Sequence, residues 1–162
     1  MLTRIRTLGD PVLTNPVERI KNVDEISQGL INQMFDAMYE NNGVGLAANQ
    51  IGITKSVFVY DDRNGNKGFM INPWIIPETR ESIKMPEGCL SVPGTSHETP
   101  RCKQISIKAI TSLGGTISEL ENVDGLLAQI FQHETDHLKG KLYISLLPKE
   151  TQMAIVLANQ II

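Results

Sequence analysis

The feature that most constrains this chain is a pair of histidines, His133 and His137, in the segment FQHETDHLKG. Together with Glu134 they form the pattern H-E-x-x-H. In an α-helix, residues four positions apart lie about 40° apart around the axis, so both imidazoles can bind one metal ion. Glu134 lies about 60° from His137, close enough to reach a water molecule beside that ion. The spacing favours a metal site over two polar residues that are merely buried or exposed.

The helix that carries the motif is predicted to begin after Asp124, the N-cap residue, and to run through Leu138, with Gly140 closing it. Its apolar residues Leu126 and Ile130 precede the histidines at spacings of three and four positions. Residues with these spacings share one face of a helix. Both histidines are therefore expected to point into the protein.

A catalytic metal site usually has three protein ligands and one open position, so a third ligand is required. Downstream of the motif the only carboxylate is Glu150, and Tyr143 occupies the position where the longer H-E-x-x-H-x-x-G-x-x-H pattern needs a third histidine. Both zincin protease patterns therefore lack their third ligand. Upstream, the plausible donors are Cys89, His97 and Cys102.

Among these donors Cys89 is the strongest candidate, because Gly88 beside it allows a close backbone approach within the run PEGCLSVPG. Cys102 alternates with apolar residues at the start of a strand and is interpreted as a small buried hydrophobe. His97 lies among polar turn residues and is interpreted as an exposed loop residue.

A long amphipathic helix is predicted over residues 22–43, with Asn22 and Glu25 as a capping box and Gly43 after the last turn. Residues 55–116 contain short β-favouring runs such as SVFVY and QISIKAI. Turn segments such as VPGTSHETP separate them. This middle part is predicted to be mostly antiparallel strands.

The predicted fold class is α+β, with antiparallel β-sheets packed around the central metal-binding helix and an amphipathic helix near the N-terminus. Pro148 is predicted to open a last helix that ends at Ile162. With 162 residues, 41% of them apolar and 20% charged, the chain is expected to form a single catalytic domain, residues 1–162, with a short C-terminus.

The net charge of −3 and the isoelectric point near 5.6 argue against nucleic-acid binding, which needs a basic face. The two cysteines are too few for a disulfide scaffold and are expected to be reduced thiols. Pro11 and Pro16 interrupt the N-terminal segment, so neither a signal peptide nor a membrane span is expected.

Three sequence blocks stand out by their order and spacing: GVGLAANQ at 43–50, EGCLS at 87–91 and HETDHLKG at 133–140. The chain resembles the peptide deformylase family in these blocks, and the similarity extends from GDPVL near the N-terminus through GKLYISLL. The resemblance implies hydrolysis of the N-formyl group from the N-terminal formyl-methionine of newly synthesised polypeptides, with release of formate. Two other interpretations remain: a zincin-type metalloprotease, and an inactive homologue that binds formyl peptides or metal without catalysis.

By this resemblance the metal ligands are Cys89, His133 and His137. They hold one divalent ion, with Fe(II) expected and Zn, Ni or Co possible. Glu134 takes the proton of the attacking water and delivers it to the leaving amine. The side chain of Gln50 and the backbone N–H of Leu90 stabilise the negatively charged oxygen that forms on the formyl group.

The resemblance also implies that the peptide substrate binds as an added strand. The matching positions are Val44, Gly45, Glu87 and Gly88. The methionine side chain needs an apolar pocket, for which the candidates are Val44, Met85, Leu90, Leu126 and Ile130. Leu126 and Ile130 could equally be ordinary core residues of the motif helix.

The chain departs from the family pattern at two positions near the expected site. Ser96 lies near the place where many bacterial members carry an arginine that contacts the peptide beyond methionine. Gln129, one turn before the first histidine, stands where the family is usually apolar. Separately, Asp136 is predicted to need a partner, because a buried carboxylate requires one. The resemblance implies Arg101 as that partner, since it matches a position where the family usually keeps a basic residue.

Bacterial members often continue into a basic C-terminal helix that docks on the ribosome. Here Lys149 is the only basic residue after Lys141. The expected partners are N-formyl-methionyl peptides. The enzyme would act on them either after their release or through a different contact with the ribosome, as expected of a compact enzyme encoded by a small or viral genome. The expected place of action is the cytoplasm, or the host cytoplasm for a virally encoded enzyme, without a membrane or nucleic-acid partner.

Overall fold

The structure is a computed structural model, and it describes residues 2–160. The α-helices are α1 (Gln28–Glu40), α2 (Gly125–Leu138) and α3 (Lys149–Gln160). The strands are β1 (Gly45–Ala47), β2 (Val57–Asp61), β3 (Lys67–Pro77), β4 (Ser82–Cys89), β5 (Val92–Cys102), β6 (Gln104–Ile110) and β7 (Ile117–Asp124). Short 3₁₀ turns lie at Pro11–Leu13, Val23–Glu25, Ala48–Ile51 and Tyr143–Leu146.

The strands form two antiparallel sheets. The larger sheet has the order β1-β2-β3-β6-β7, and every neighbouring pair in it is antiparallel. Strands β4 and β5 form a separate hairpin, in which Ser82 lies opposite Cys102 and Gly88 lies opposite Ser96. The predicted α+β class with antiparallel sheets is therefore confirmed.

Helix α2 lies against the larger sheet through its apolar face. Phe131 is fully buried, with its ring 6.0 Å from the ring of Phe58 and 4.9 Å from that of Tyr60. Ala128 and Ile130 belong to the same apolar cluster. Burial of one large apolar side chain contributes about 1.5–3 kcal/mol, so these contacts hold the motif helix firmly in the centre of the fold.

The predicted helix over 22–43 begins later than expected. The capping box of Asn22 and Glu25 is present, but it closes the short 3₁₀ turn Val23–Glu25. Ile26 is buried in an extended conformation, with φ −109° and ψ 115°, and this interrupts the helix. Helix α1 then starts after Ser27, whose Oγ accepts a hydrogen bond from the N–H of Leu30 at 3.0 Å.

Helix α1 also ends earlier than expected, at Glu40. Asn42, rather than Gly43, takes the left-handed conformation after the helix, with φ 57°. The buried face of α1, which includes Met34 and Met38, packs in the apolar cluster that contains Leu46 of β1. The amphipathic character of the helix was therefore predicted correctly, and its ends were not.

The segment VPGTSHETP, interpreted above as turn material, forms most of strand β5. Residues 96–100 of this segment pair with β4, and Val92 lies opposite Cys89, with an irregular register between them. This pairing satisfies backbone hydrogen bonds that a turn would leave to solvent. His97 lies within this strand opposite Glu87 and is half-buried. The prediction of an exposed loop at His97 is therefore wrong.

The predicted ends of α2 are confirmed: Asp124 occupies the N-cap position, although its side chain makes no capping hydrogen bond. Gly140 follows the helix in the left-handed conformation, with φ 75°. Helix α3 begins directly after Pro148, as predicted, and positions 161 and 162 lie outside the described residues. Within residues 2–160, no helix is long and apolar enough to cross a membrane.

Gly140→Ala should lower the free energy of unfolding by about 2–5 kcal/mol, because two costs combine. The φ of 75° disfavours any side chain, and a Cβ would lie 2.7 Å from the carbonyl carbon of Asn15 and 2.8 Å from that of Thr14. Urea denaturation measures the loss. The control is Gly29→Ala in α1, where a Cβ would meet only Ser27 Oγ at 3.7 Å. Equal stabilities of the two variants would contradict this account.

Candidate metal centre

Three donor atoms from two elements converge beside one cavity. Cys89 ends strand β4, while His133 and His137 come from successive turns of α2. The Nε2 atoms of the two histidines are 3.1 Å apart, and Cys89 Sγ lies 3.3 Å from His137 Nε2. The three donor atoms all lie within 4.8 Å of one another. The structure therefore brings together the three side chains that the sequence suggested as ligands.

This donor set fits a divalent transition-metal ion. Metal–sulfur distances of about 2.3 Å and metal–nitrogen distances of about 2.1 Å place tetrahedral donors about 3.3–3.6 Å apart, close to the separations at this centre. Burial lowers the pKa of His137 well below its ordinary value, and the nearby positive groups act in the same direction. Its imidazole is therefore neutral, which is the form that binds metal.

The other donors considered from the sequence lie elsewhere. Cys102 is half-buried, and its Sγ contacts the carbonyl oxygens of Thr79 and Gln104 at 3.3 and 3.2 Å. His97 contacts Thr95 Oγ1 through Nδ1 at 3.2 Å. Neither side chain belongs to the cluster that could hold a metal ion, whose third member is Cys89.

A buried carboxylate, Glu87, lies against the outer nitrogen of His133. Glu87 Oε2 is 3.5 Å from His133 Nδ1. A histidine that binds metal through one ring nitrogen is commonly oriented by a carboxylate at the other nitrogen. Arg101 donates two hydrogen bonds to Glu87, at 3.0 and 2.7 Å, and one to Asp136 at 2.6 Å. The predicted pairing of Asp136 with Arg101 is confirmed.

The charge of Glu87 follows from these contacts. Burial alone would raise its pKa, but hydrogen bonds with His133 and Arg101 outweigh burial and lower the pKa to about 2. Thr99 Oγ1 donates a further hydrogen bond to Glu87 Oε2 at 3.1 Å. Glu87 is therefore a carboxylate at neutral pH. Its side chain is committed to these contacts, a role that was missed when the sequence suggested only a contact with peptide.

Glu134 lies on α2 next to the three donors and is only 4% exposed. Burial raises the pKa of its carboxyl group to about 7, against the opposing effect of nearby His133. Its Oε2 is buried and has no hydrogen-bond partner within residues 2–160. A Cβ atom at Gly45 would lie 2.5 Å from its Oε1. The carboxyl group therefore rests against the backbone of β1, with one oxygen free to exchange a proton.

Gln50 is buried in the 3₁₀ turn that follows β1. Its Oε1 accepts a hydrogen bond from the N–H of Ala47 at 3.0 Å, and its Nε2 donates one to Ser91 Oγ at 3.1 Å. These contacts fix the amide with Nε2 at 3.7 Å from Cys89 Sγ. Leu90, which follows Cys89 in the chain, lies on the cavity wall.

Two polar neighbours of the centre were not predicted. The N–H of Ser91 donates a hydrogen bond to Cys89 Sγ at 3.4 Å. Asn49 Nδ2 donates to the backbone oxygen of His137 at 2.6 Å. Both residues stand inside the sequence blocks EGCLS and GVGLAANQ, so their position in those blocks was the available signal.

A cavity of about 540 Å³ opens between β1, the β4–β5 hairpin and α2. The predicted peptide-binding residues on its wall are Val44, Gly45, Glu87, Gly88, Leu126 and Ile130. Met85 is not on this wall. Strand β4 lines the cavity only from Pro86 onward, and Met85 lies opposite Thr99 on β5. Its predicted contact with a methionine side chain is corrected accordingly. Ser96 is exposed and also lies off the wall, whereas Gln129 is part of it.

A cysteine and two histidines beside a buried proton-exchanging carboxyl group, all next to one open cavity, are the features of a metal-dependent hydrolase. The family model described as polypeptide deformylase matches residues 2–153. The chain belongs to this family, as the sequence blocks suggested.

Similar proteins agree with this assignment. A peptide deformylase of Pseudothermotoga lettingae is 41% identical over 155 residues, which cover 96% of this chain and 88% of that protein. The crystal structure of peptide deformylase from Ehrlichia chaffeensis in complex with actinonin has a TM-score of 0.90 at 30% identity, covering 98% of this chain and 96% of that one. The enzyme from Thermotoga maritima has a TM-score of 0.84 at 38% identity, covering 91% and 99%.

Proposed function

We propose that the cavity binds the N-formylated end of newly synthesised polypeptides in the cytoplasm, and that the chain hydrolyses the formyl amide to formate and a free α-amino group. The observation that carries this proposal is the carboxyl group of Glu134, held at the metal centre with a pKa of about 7. A group with this pKa can both accept and donate a proton near neutral pH. Family membership supports the same reaction.

The residues that would hold the metal ion are Cys89, His133 and His137. A divalent cation bound there polarises the formyl carbonyl group and lowers the pKa of water. We infer Fe(II) from the family resemblance, and the donor types also accept Zn, Ni or Co. The carboxylate of Glu87 would keep the ring of His133 in its binding orientation.

Three groups of the chain act on the substrate in this proposal. Glu134 accepts a proton from the attacking water and returns it to the leaving amine, so the same carboxyl group serves as base and then as acid. Gln50 Nε2 and the N–H of Leu90 donate hydrogen bonds to the oxygen that becomes negatively charged. Loss of one such donor typically costs about 2.7–4 kcal/mol of transition-state stabilisation.

The peptide backbone is proposed to bind as an extra strand. Strand β1 is at the edge of the larger sheet and pairs with β2 alone among the described strands. Val44 and Gly45 lie on one wall of the cavity and Gly88 lies on another, so an extended peptide can contact backbone on both sides. Because the side chain of Glu87 is engaged with Arg101, only its backbone is available to the peptide.

The methionine side chain is proposed to lie among the apolar wall residues Val44, Leu90, Leu126 and Ile130. Ile130 is 3% exposed and also packs in the central cluster, so it serves both the core and the pocket. Leu126 is 44% exposed, which is consistent with a position at the pocket rim.

Formate release should increase as the pH rises through about 7. Burial raises the pKa of Glu134, so the group is protonated, and unable to act as a base, below that pH. The measurement is kcat/KM between pH 5 and 8, with the metal content per chain determined at each pH. A flat profile at constant metal content would contradict the assignment of Glu134 as base.

Gly45→Ala should lower kcat by about 100-fold, since a displacement of about 1 Å in an active site has an effect of this size. The new methyl group would lie 2.5 Å from Glu134 Oε1 and would push the carboxyl group away. Formate release and metal content are measured together. Gly114→Ala is the control, because its Cβ would meet only Ser112 Oγ at 3.6 Å. Unchanged kcat in Gly45→Ala would show that catalysis does not require the Glu134 carboxyl group to lie against Gly45.

The experiment that tests the proposed function is formate release from formyl-Met-Ala-Ser by metal-replete protein purified without oxygen. A zincin-type protease would instead digest casein under the same conditions. An inactive binding homologue would bind the peptide, shown by calorimetry, without releasing formate. Release of formate without casein digestion is the expected result, and either of the other outcomes rejects the proposal.

A further inference from the structure

Gln129 is a polar residue on the wall of the cavity that is proposed to bind the first side chain of the peptide. Gln129 is 7% exposed and lies on the cavity wall together with its α2 neighbours Leu126 and Ile130. Its Nε2 donates a hydrogen bond to the backbone oxygen of Pro86 on β4 at 2.9 Å. A carbonyl oxygen can only accept, so this bond determines which end of the carboxamide faces β4.

The other end of the carboxamide, Oε1, is left for the cavity. It accepts no hydrogen bond from any of residues 2–160, and it is not sealed from solvent as the buried unpartnered atoms are. Gln129 is 7% exposed, and the cavity is the open space that this residue lines. Gln129 therefore brings an unpaired hydrogen-bond acceptor to the cavity wall beside the apolar residues Leu126 and Ile130.

We propose that Gln129 lets this enzyme process N-formyl peptides whose first side chain has the length of methionine but ends in an N–H donor. Glutamine is the closest match in length. This inference rests on the proposed deformylase function and adds a second substrate class to it. A methionine thioether has no hydrogen-bond donor, so it displaces water from Oε1 without replacing the lost hydrogen bond. A glutamine amide replaces that water with its own N–H.

The size of the effect follows from the value of one neutral hydrogen bond. Such a bond changes kcat/KM by about a factor of ten. A buried polar group of the enzyme also disfavours a substrate that offers it no hydrogen-bond partner. Relative to a wholly apolar wall, the preference for methionine over glutamine should therefore be about tenfold smaller.

The test compares kcat/KM for formyl-Met-Ala-Ser and formyl-Gln-Ala-Ser in the wild type and in Gln129→Met. This change replaces the carboxamide by an apolar chain of similar length. The ratio of the two kcat/KM values should favour methionine about tenfold more strongly in the variant. An equal or smaller ratio would overturn the inference. Failure of the metal-replete wild type to act on either peptide would instead reject the proposed function, and this inference with it.

A second comparison uses the wild type alone and does not depend on the folding of a variant. A formyl peptide that begins with glutamate γ-methyl ester has a polar side chain of similar length without an N–H donor. It should react about tenfold more slowly than the formyl-Gln peptide. Equal rates for these two peptides would show that Oε1 of Gln129 accepts nothing from the substrate.

Discussion

Glu134→Gln should lower kcat for formate release by about 10²–10⁴-fold, the range typical of a positioned general acid and base. The carboxamide has nearly the same shape as the carboxyl group, but it can neither take a proton from water nor return one to the amine. Oε2 of Glu134 has no hydrogen-bond partner within residues 2–160, so the change breaks no contact of that atom. The three donors proposed to hold the metal ion are other side chains, and metal content should therefore be unchanged.

The measurement is formate release by wild type and variant, purified in the same way, with metal per chain and the melting temperature determined for both. Glu119→Gln is the control, because it makes the same chemical change at an exposed position on β7 and should leave kcat unaltered. Wild-type kcat in Glu134→Gln at equal metal content would remove Glu134 from the mechanism. Loss of the metal from the variant would indicate a structural role instead.

The motif helix is predictable from sequence because several local signals agree. Its apolar spacing, Asp124 before it and Gly140 after it all specify the same ends, which the structure has. Strand β5 lacks such agreement: Pro93, Gly94 and Pro100 individually favour turns. Pairing with β4 overrides that preference at Pro100, which lies opposite Lys84, whereas Gly94 keeps a left-handed φ of 79° where the register is irregular. A pairing partner elsewhere in the chain is invisible to local patterns.

The metal donors show the same division between local and long-range information. His133 and His137 are recognisable because one helix sets their spacing. Spacing from the helix does not distinguish Cys89 from Cys102. The adjacent Gly88 favoured Cys89, and the resemblance to a family supported the same choice. The pairing of Asp136 with a basic residue followed from the need to neutralise a buried charge.

The role of Glu87 could not be found in this way. Next to Cys89 it matched a position whose backbone contacts the peptide, and nothing local indicates where its side chain points. The structure shows that its carboxylate lies between Arg101 and His133, which come from β5 and α2. A network of charges from three elements depends on the complete tertiary arrangement, so it lies beyond the reach of sequence patterns.

Arg101→Ala should lower the free energy of unfolding by about 3–5 kcal/mol, because it leaves the buried carboxylate of Glu87 without its main partner. For a chain of this size the melting temperature should fall by about 6–20 °C. Lys103→Ala is the matched control. The ion pair of Lys103 with Glu81 is 2.8 Å long, but both side chains are more than half exposed, so its loss should cost less than about 1 kcal/mol.

The difference in stability between wild type and Arg101→Ala should also depend on pH. The folded pKa of Glu87 is lowered from 4.5 to about 2, so its contribution is fully present above pH 4.5 and is lost as the pH falls toward 2. Urea denaturation of both proteins between pH 7 and pH 3 measures this. Without Arg101 the carboxyl group of Glu87 takes up its proton at a higher pH than in the wild type, so the difference should be largest near pH 7 and shrink as the pH falls. A difference that does not vary with pH would mean that Arg101 stabilises the fold through packing alone, and equal melting temperatures at pH 7 would mean that the buried pair contributes nothing.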